Sequence, residues 1–150
     1  MKSLILSVLL LFPIIVYSQN CVKIDTVYST AKLRELGNRD IRFGVKQMAE
    51  DLLSETHCIS ESGNPIKIEI FFFGIPKNTL RIAGVETTHQ ITQLGVRFYY
   101  DGKRYEGYGE SETEVRAVMI ELVDGKVPFS KMTVSSALKK AIQKCLSELP

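Results

Sequence analysis

The residues able to do covalent or metal chemistry are few in this chain, and their spacing suits none of the common arrangements. There are two histidines, His57 and His89, and three cysteines, Cys21, Cys58 and Cys145. His57 directly precedes Cys58, and neighbouring side chains point in different directions, so the two do not form a nucleophile–base dyad with each other. The cysteines lie far apart in sequence, which rules out a CxxC redox or zinc pair. His89 sits in the polar stretch "ETTHQ" with no nucleophile elbow or flanking motif around it. The sequence contains no HExxH helix, no paired Cys/His ligand spacing and no calcium loop.

Two short stretches invite a binding reading and then lose it. Acidic "ESETE" (110–114) would draw a cation, yet carboxylates at the start of a helix are favoured by the helix dipole alone. "GYGE" (107–110) places two glycines before it. A phosphate-binding loop wants more glycine, a lysine and a preceding parallel strand. The two glycines read instead as a kink at a sheet edge, covered by Tyr108. The residues therefore assign no catalytic side chain, no metal ligand and no cofactor.

A binding surface is better supported. In "QLGVRFYYDGKRYEGYG" (93–109), Asp101-Gly102 fits a two-residue hairpin turn, because Asp and Gly tolerate positive φ. That turn fixes the register and pairs Tyr100 with Lys103. It follows that Tyr99 faces Arg104, Phe98 faces Tyr105, Arg97 faces Glu106 and Gly95 faces Tyr108. Phe98 and Tyr105 then join Leu94 and Val96 on the core side. Arg97, Tyr99, Arg104, Glu106 and Tyr108 line the outer side. Arg and Tyr recur on binding surfaces because they bring large contact area with polar tips.

The remaining elements must position that hairpin. "VKIDTVYS" (22–29) reads as a half-buried strand, with Val22, Ile24, Thr26 and Tyr28 on one side. "TAKLRELGN" (30–38) reads as a short helical turn closed by Gly37. Residues 38–58 read as a helix capped by Asn38 or Asp40, with Ile41, Val45, Met48 and Leu52 on one face. "IKIEIFFF" (66–73) is a strong strand, with Ile66, Ile68, Ile70 and Phe72 on one face and Phe71 and Phe73 on the other. Apolar on both faces at one end, it belongs in the centre of a sheet. Residues 74–92 read as a long connection, a kind that is often functional.

Residues 110–125 admit two readings. Ser111-x-x-Glu114 matches a capping box for a helix closed by Gly125, the preferred reading. The β-branched content also allows a strand running to a second Asp-Gly turn at 124–125. "KVPFSKM" (126–132) is a loop or short edge strand. Residues 133–150 form a helix capped by Thr133 or Ser135. Its apolar stripe runs through Val134, Ala137, Leu138, Ala141, Ile142, Cys145, Leu146 and Leu149.

The N-terminus bears on location. Lys2 precedes an apolar run from Leu4 to Val16, interrupted by Ser7 and Pro13. Val16 and Ser18 then occupy the −3 and −1 positions of a signal-peptidase site. The run is shorter than the roughly 20 residues of a spanning helix, and no second run is long enough to cross a membrane. A lipidated Cys21 would need small residues directly before it and a Leu-like residue at −3; Gln19, Asn20 and Ser18 stand there instead. The expectation is cleavage after Ser18, a single domain over 19–150, and a periplasmic or secreted protein. No transmembrane segment would remain after cleavage. In that oxidising setting a disulfide is expected, and Cys58–Cys145 is the favoured pair because both fall at helix ends. Cys21 is then the spare thiol. The alternative keeps Cys145 in the core, on the stripe of its helix.

The chain carries 19 basic and 17 acidic residues, a net +2. Such a mixed, near-neutral balance argues against bulk electrostatic binding to nucleic acid or anionic membrane.

The order strand–helix–strand–hairpin–(helix or strand)–helix behind a signal peptide resembles small bacterial periplasmic accessory lipoproteins of the penicillin-binding-protein-activator and curli-secretion type. The resemblance covers residues 22–148 and departs at the lipobox. It implies protein–protein work at the cell envelope without catalysis. "YYDGKRYEGYGESE" followed by "TVSSALKKAI" is also similar to the hairpin and following helix of single-strand-annealing proteins. That would imply single-stranded nucleic-acid binding, which the charge balance and the signal peptide oppose.

The expected fold is α+β: a mixed or antiparallel sheet of about four strands with a central hairpin, covered by two or three helices. The expected function is an exported, non-enzymatic binding or assembly protein of the bacterial envelope. Its partner would be another envelope or secreted protein. The alternative is a small secreted hydrolase built on His89 and the 74–92 connection.

Overall fold

The computed structural model describes residues 21–32, 41–82, 85–118 and 130–150. The expected signal peptide, the expected caps at Asn38 and Asp40, most of the expected 30–38 turn and the expected 124–125 turn lie outside the described residues. The chain runs β1 (Val22–Ser29), α1 (Arg42–Ser54), β2 (Asn64–Gly74), β3 (Lys77–Ile82), β4 (Val85–Tyr100), β5 (Lys103–Val118) and α2 (Lys131–Leu146). The fold is α+β, with a mixed five-stranded sheet and two helices among the described residues.

β4 is the spine of the sheet. β2 pairs antiparallel with its second half and β3 with its first half, while β5 runs along its whole opposite edge. β1 pairs with β2 in parallel, so the intervening α1 is a crossover. Both helices pack on one face of the sheet. There Val45, Ala49, Leu52 and Leu53 of α1 and Val134, Leu138, Ala141 and Ile142 of α2 join Ile66, Ile68, Ile70, Leu94, Val96 and Phe98 in one core. The expected apolar face of α1 holds, with Ile41 and Met48 partly buried at its margin. Ile41 is its N-cap and makes no side-chain cap bond. Ser130, rather than Thr133 or Ser135, caps α2 by accepting from the Thr133 amide.

The hairpin forms in the register that Asp101-Gly102 dictates, from Tyr100 opposite Lys103 through Gly95 opposite Tyr108. Asp101 and Gly102 take φ of 49° and 70°, the pattern of a two-residue turn that follows the strand twist.

Several expectations change. Residues 110–118 continue β5 as strand instead of starting a helix. The capping-box pattern loses to cross-strand pairing, because β4 runs on to Val85 and offers every one of these residues a partner. The 74–92 stretch is likewise no connection: it holds β3 and the first half of β4. In β2 a register shift between Ile70 and Phe72 adds one residue, so Phe71 and Phe72 both fall on the open face and Phe73 turns to the core. A similar shift between Ile24 and Thr26 in β1 brings Val27, not Thr26, against the core.

The helix face of β5 is built for close approach. A Cβ on Gly107 would lie 1.9 Å from the Ala141 carbonyl oxygen, and one on Gly109 would lie 1.9 Å from that of Ala137. The two glycines are thus the bed of α2, not a sheet-edge kink. Tyr108, between them, points to the other face.

Candidate functional site

The open face of the sheet brings together all five residues expected there: Arg97, Tyr99, Arg104, Glu106 and Tyr108. Alternation along β4 and β5 puts them on one side, and pairing sets Arg97 opposite Glu106, Tyr99 opposite Arg104 and Tyr108 opposite Gly95. Arg97 Nε donates to Glu106 Oε1 at 2.7 Å, and Arg104 Nε approaches the same oxygen at 3.2 Å.

The centre of the face is a residue outside the expected five. Glu69, on β2, is only 6% exposed. The Thr30 hydroxyl donates to its Oε1 at 2.6 Å and the Tyr99 hydroxyl to its Oε2 at 2.6 Å. Arg97 stands 3.5 Å from Oε2. Burial alone would raise the Glu69 pKa. The two hydroxyl donors and the Arg97 charge outweigh it and hold the carboxyl below its ordinary range. The same hydrogen bond, then burial, pushes Tyr99 up to about 12. Its bond to Glu106 first, and then the two nearby carboxylates, raise Arg97. The available signal for Glu69 was a lone acid inside an otherwise apolar strand, "IEIFFF".

Beside this ionic centre lies an aromatic ledge. Phe71 follows Glu69 onto the open face by strand alternation, and the β2 bulge turns Phe72 there beside it; the Arg97 guanidinium stacks 3.8 Å from the Phe71 ring centre. Tyr108 meets Phe71 edge-on at 5.1 Å and Phe72 at 6.5 Å. Gly95 makes room beneath: a Cβ there would lie 2.8 Å from Phe71 Cζ. Tyr108 stays 53% exposed and Phe72 40% exposed. Arg97 and Glu106 are thus committed to the protein itself, whereas Tyr108, Phe72 and Arg104 are presented outward.

The other candidates are dispersed. His89 lies on the open face of β4 with its Nδ1 3.2 Å from Glu112 Oε1, and both side chains are exposed. The connection that was to form a cleft around it is paired strand. His57 lies beyond the end of α1, where its Nδ1 meets the Thr56 hydroxyl at 2.8 Å. Among the described residues no group of three or more His, Cys, Asp or Glu side chains is placed to hold a metal. No described helix is long and apolar enough to cross a membrane.

The disulfide joins Cys21 to Cys58, which corrects the expected Cys58–Cys145 pair. Cys58 follows α1 and lies against the start of β1, where the Val22 amide donates to its carbonyl at 2.8 Å. Cys145 is the free cysteine and faces the sheet, with Sγ 3.3 Å from the Val96 carbonyl. Burial pushes its thiol up to about 12. A sulfur held in a disulfide cannot also carry a thioether-linked lipid, so Cys21 in this state is not a lipid attachment point.

No protein-family model matches the chain, and no curated protein matches it. Among solved structures, the chain is similar to a minor lipoprotein from Acinetobacter baumannii. The identity is 10%, the match covers 88% of this chain and 97% of that one, and the TM-score is 0.40.

Proposed function

We propose that this is an exported, non-enzymatic binding or assembly protein of the bacterial cell envelope that engages a partner protein through the open face of its sheet. Export rests on the N-terminal sequence, and the Cys21–Cys58 disulfide accords with an oxidising compartment. The observation that carries the binding reading is the exposure of Tyr108 and Phe72 on a face whose central charged residues, Glu69, Arg97 and Glu106, are paired with one another. An apolar patch rimmed by fixed polar groups is the common form of a protein-recognition site. Rigid aromatics lose little conformational entropy when covered, and the bonds to Glu69 and Glu106 hold the rim in place.

The test is site-specific photo-crosslinking in the producing cell. A photoreactive residue at Tyr108 should give one discrete protein adduct, lost when Arg104 is changed to Glu. The same residue at Lys139, on the solvent side of α2, should give none. Identical adduct patterns at both positions would remove the open face from consideration.

A further inference from the structure

The long outer edge of β5 has the features of a strand-docking site, independently of the open-face reading. β5 runs for 16 residues in unbroken register with β4, without a bulge or a proline. Its other edge pairs with no strand among the described residues. Natural edges of this length are normally interrupted by a bulge or a proline, covered, or charged; this one is charged, with Arg104, Glu106, Glu110 and Glu112 along it, which restricts it to a strand of complementary charge.

The direction of its backbone groups follows from the turn. In a two-residue hairpin the flanking pair, Tyr100 and Lys103, is hydrogen-bonded, and bonded and non-bonded pairs then alternate. Odd-numbered residues of β5 therefore bond β4. Arg104, Glu106, Tyr108, Glu110 and Glu112 aim their N–H and C=O outward. One contact agrees: Lys140 Nζ reaches round from α2 to donate to the Glu110 carbonyl at 2.9 Å, a bond that an arriving strand would replace with its own amide, releasing the ammonium.

The two sides of this edge differ in charge. On the open side stand Glu110 and Glu112, bonded through one oxygen each to Gln93 and His89 and otherwise exposed. On the helix side stand exposed Lys140 and, one turn on, exposed Lys144. A strand laid along this edge would alternate its side chains between these two fields.

A second copy of the chain does not fit. α2 rests its backbone on β5 at Gly107 and Gly109. Two copies joined edge to edge would bring their β5 strands to about 4.8 Å, and with them two helices that need roughly 8–10 Å. A bare strand carries no such helix.

We propose that the free edge of β5 accepts an extended segment of a partner protein by strand addition, and that the segment alternates basic residues toward Glu110 and Glu112 with acidic residues toward Lys140 and Lys144. Backbone bonds supply the attraction, and the charge alternation sets the face and register.

The probe is a capped heptapeptide alternating Lys and Glu, beginning and ending with Lys. Amide hydrogen exchange is followed on the intact, oxidised protein. With the peptide at twice its dissociation constant, exchange at Glu106, Tyr108, Glu110 and Glu112 should slow about threefold, while the odd-numbered amides hold their rates. A scrambled peptide of the same composition should leave all rates unchanged. Glu110→Lys combined with Glu112→Lys, at two exposed positions, should abolish the slowing. No slowing at millimolar peptide, equal slowing with the scrambled peptide, or slowing that survives the double charge reversal would each overturn the proposal.

Discussion

The Tyr99 hydroxyl donates to Glu69 Oε2 at 2.6 Å, joining β4 to β2 through a carboxylate that also takes a hydroxyl from Thr30. This bond makes stability depend on pH at both extremes. The folded Glu69 pKa lies below its ordinary value of 4.5, so its contribution is full above the unfolded value and is lost as pH falls through the folded one. Tyr99 is raised from 10.0 to about 12, so its contribution is full below about 10 and is lost as pH rises toward 12. Urea midpoints across both ranges should fall at each end. Tyr99→Phe should remove the alkaline loss and lower stability by about 1–2 kcal/mol at neutral pH, because Glu69 Oε2 loses its hydroxyl donor and keeps only the longer Arg97 contact. An unchanged alkaline limb in the variant would show that the bond does not form in solution.

That centre also marks where the sequence stops being readable. The hairpin register was legible because two residues with positive φ fix it locally, and every pair from Tyr100–Lys103 to Gly95–Tyr108 followed. The α2 stripe was legible because helical spacing is also local. Phe72 and Phe73 were not, because the bulge that turns Phe72 to the open face and Phe73 to the core is set by pairing with β4. Residues 110–118 look like a capped helix start until a partner strand as long as β4 is supplied. The five outer residues could be placed on one face. The reason that they are held there, Glu69 and Thr30, comes from β2 and the end of β1.

Gly107 and Gly109 should be intolerant of any side chain. Each would place a Cβ 1.9 Å from a backbone oxygen of α2, and backbone cannot step aside as a flexible side chain can. Gly107→Ala should cost about 3 kcal/mol or more, at or beyond the upper end of ordinary overpacking. Gly44→Ala is the control, since nothing lies within 4 Å of its Cβ and the site is helical. It should stabilise by about 0.5–1 kcal/mol. Denaturation followed by far-ultraviolet circular dichroism separates the two outcomes. Equal stabilities would mean that α2 does not seat on β5.

Thiol titration should report the three cysteines in sequence. The native protein should show no reactive thiol, because Cys145 is fully buried and its pKa is about 12. Unfolding without reductant should release one thiol and unfolding with reductant three, with the bridge mapping to Cys21–Cys58. Reduction of a bridge spanning a separation of 37 residues should lower stability by about 4 kcal/mol on the chain-entropy account. A fast-reacting native thiol would contradict the packing of α2.

The open face should separate binding from folding. Tyr108 is 53% exposed and the Arg104 side chain 61% exposed, so neither holds the core. Arg104→Glu combined with Tyr108→Ser should change stability by less than about 1 kcal/mol, the range of exposed pairs and surface sites. Loss of the crosslinked partner should be tenfold or more, since about 1.4 kcal/mol of lost contact suffices for that factor. Arg97→Ala behaves differently. It strips Glu69 and Glu106 of their shared cation and uncovers the Phe71 ring, so it should weaken folding and binding together. Comparing the two variants by melting temperature and by crosslinking yield in one experiment tells a presented residue from a positioning one. If the double variant melts early, the face is structural, and the partner contact must be sought elsewhere on the molecule.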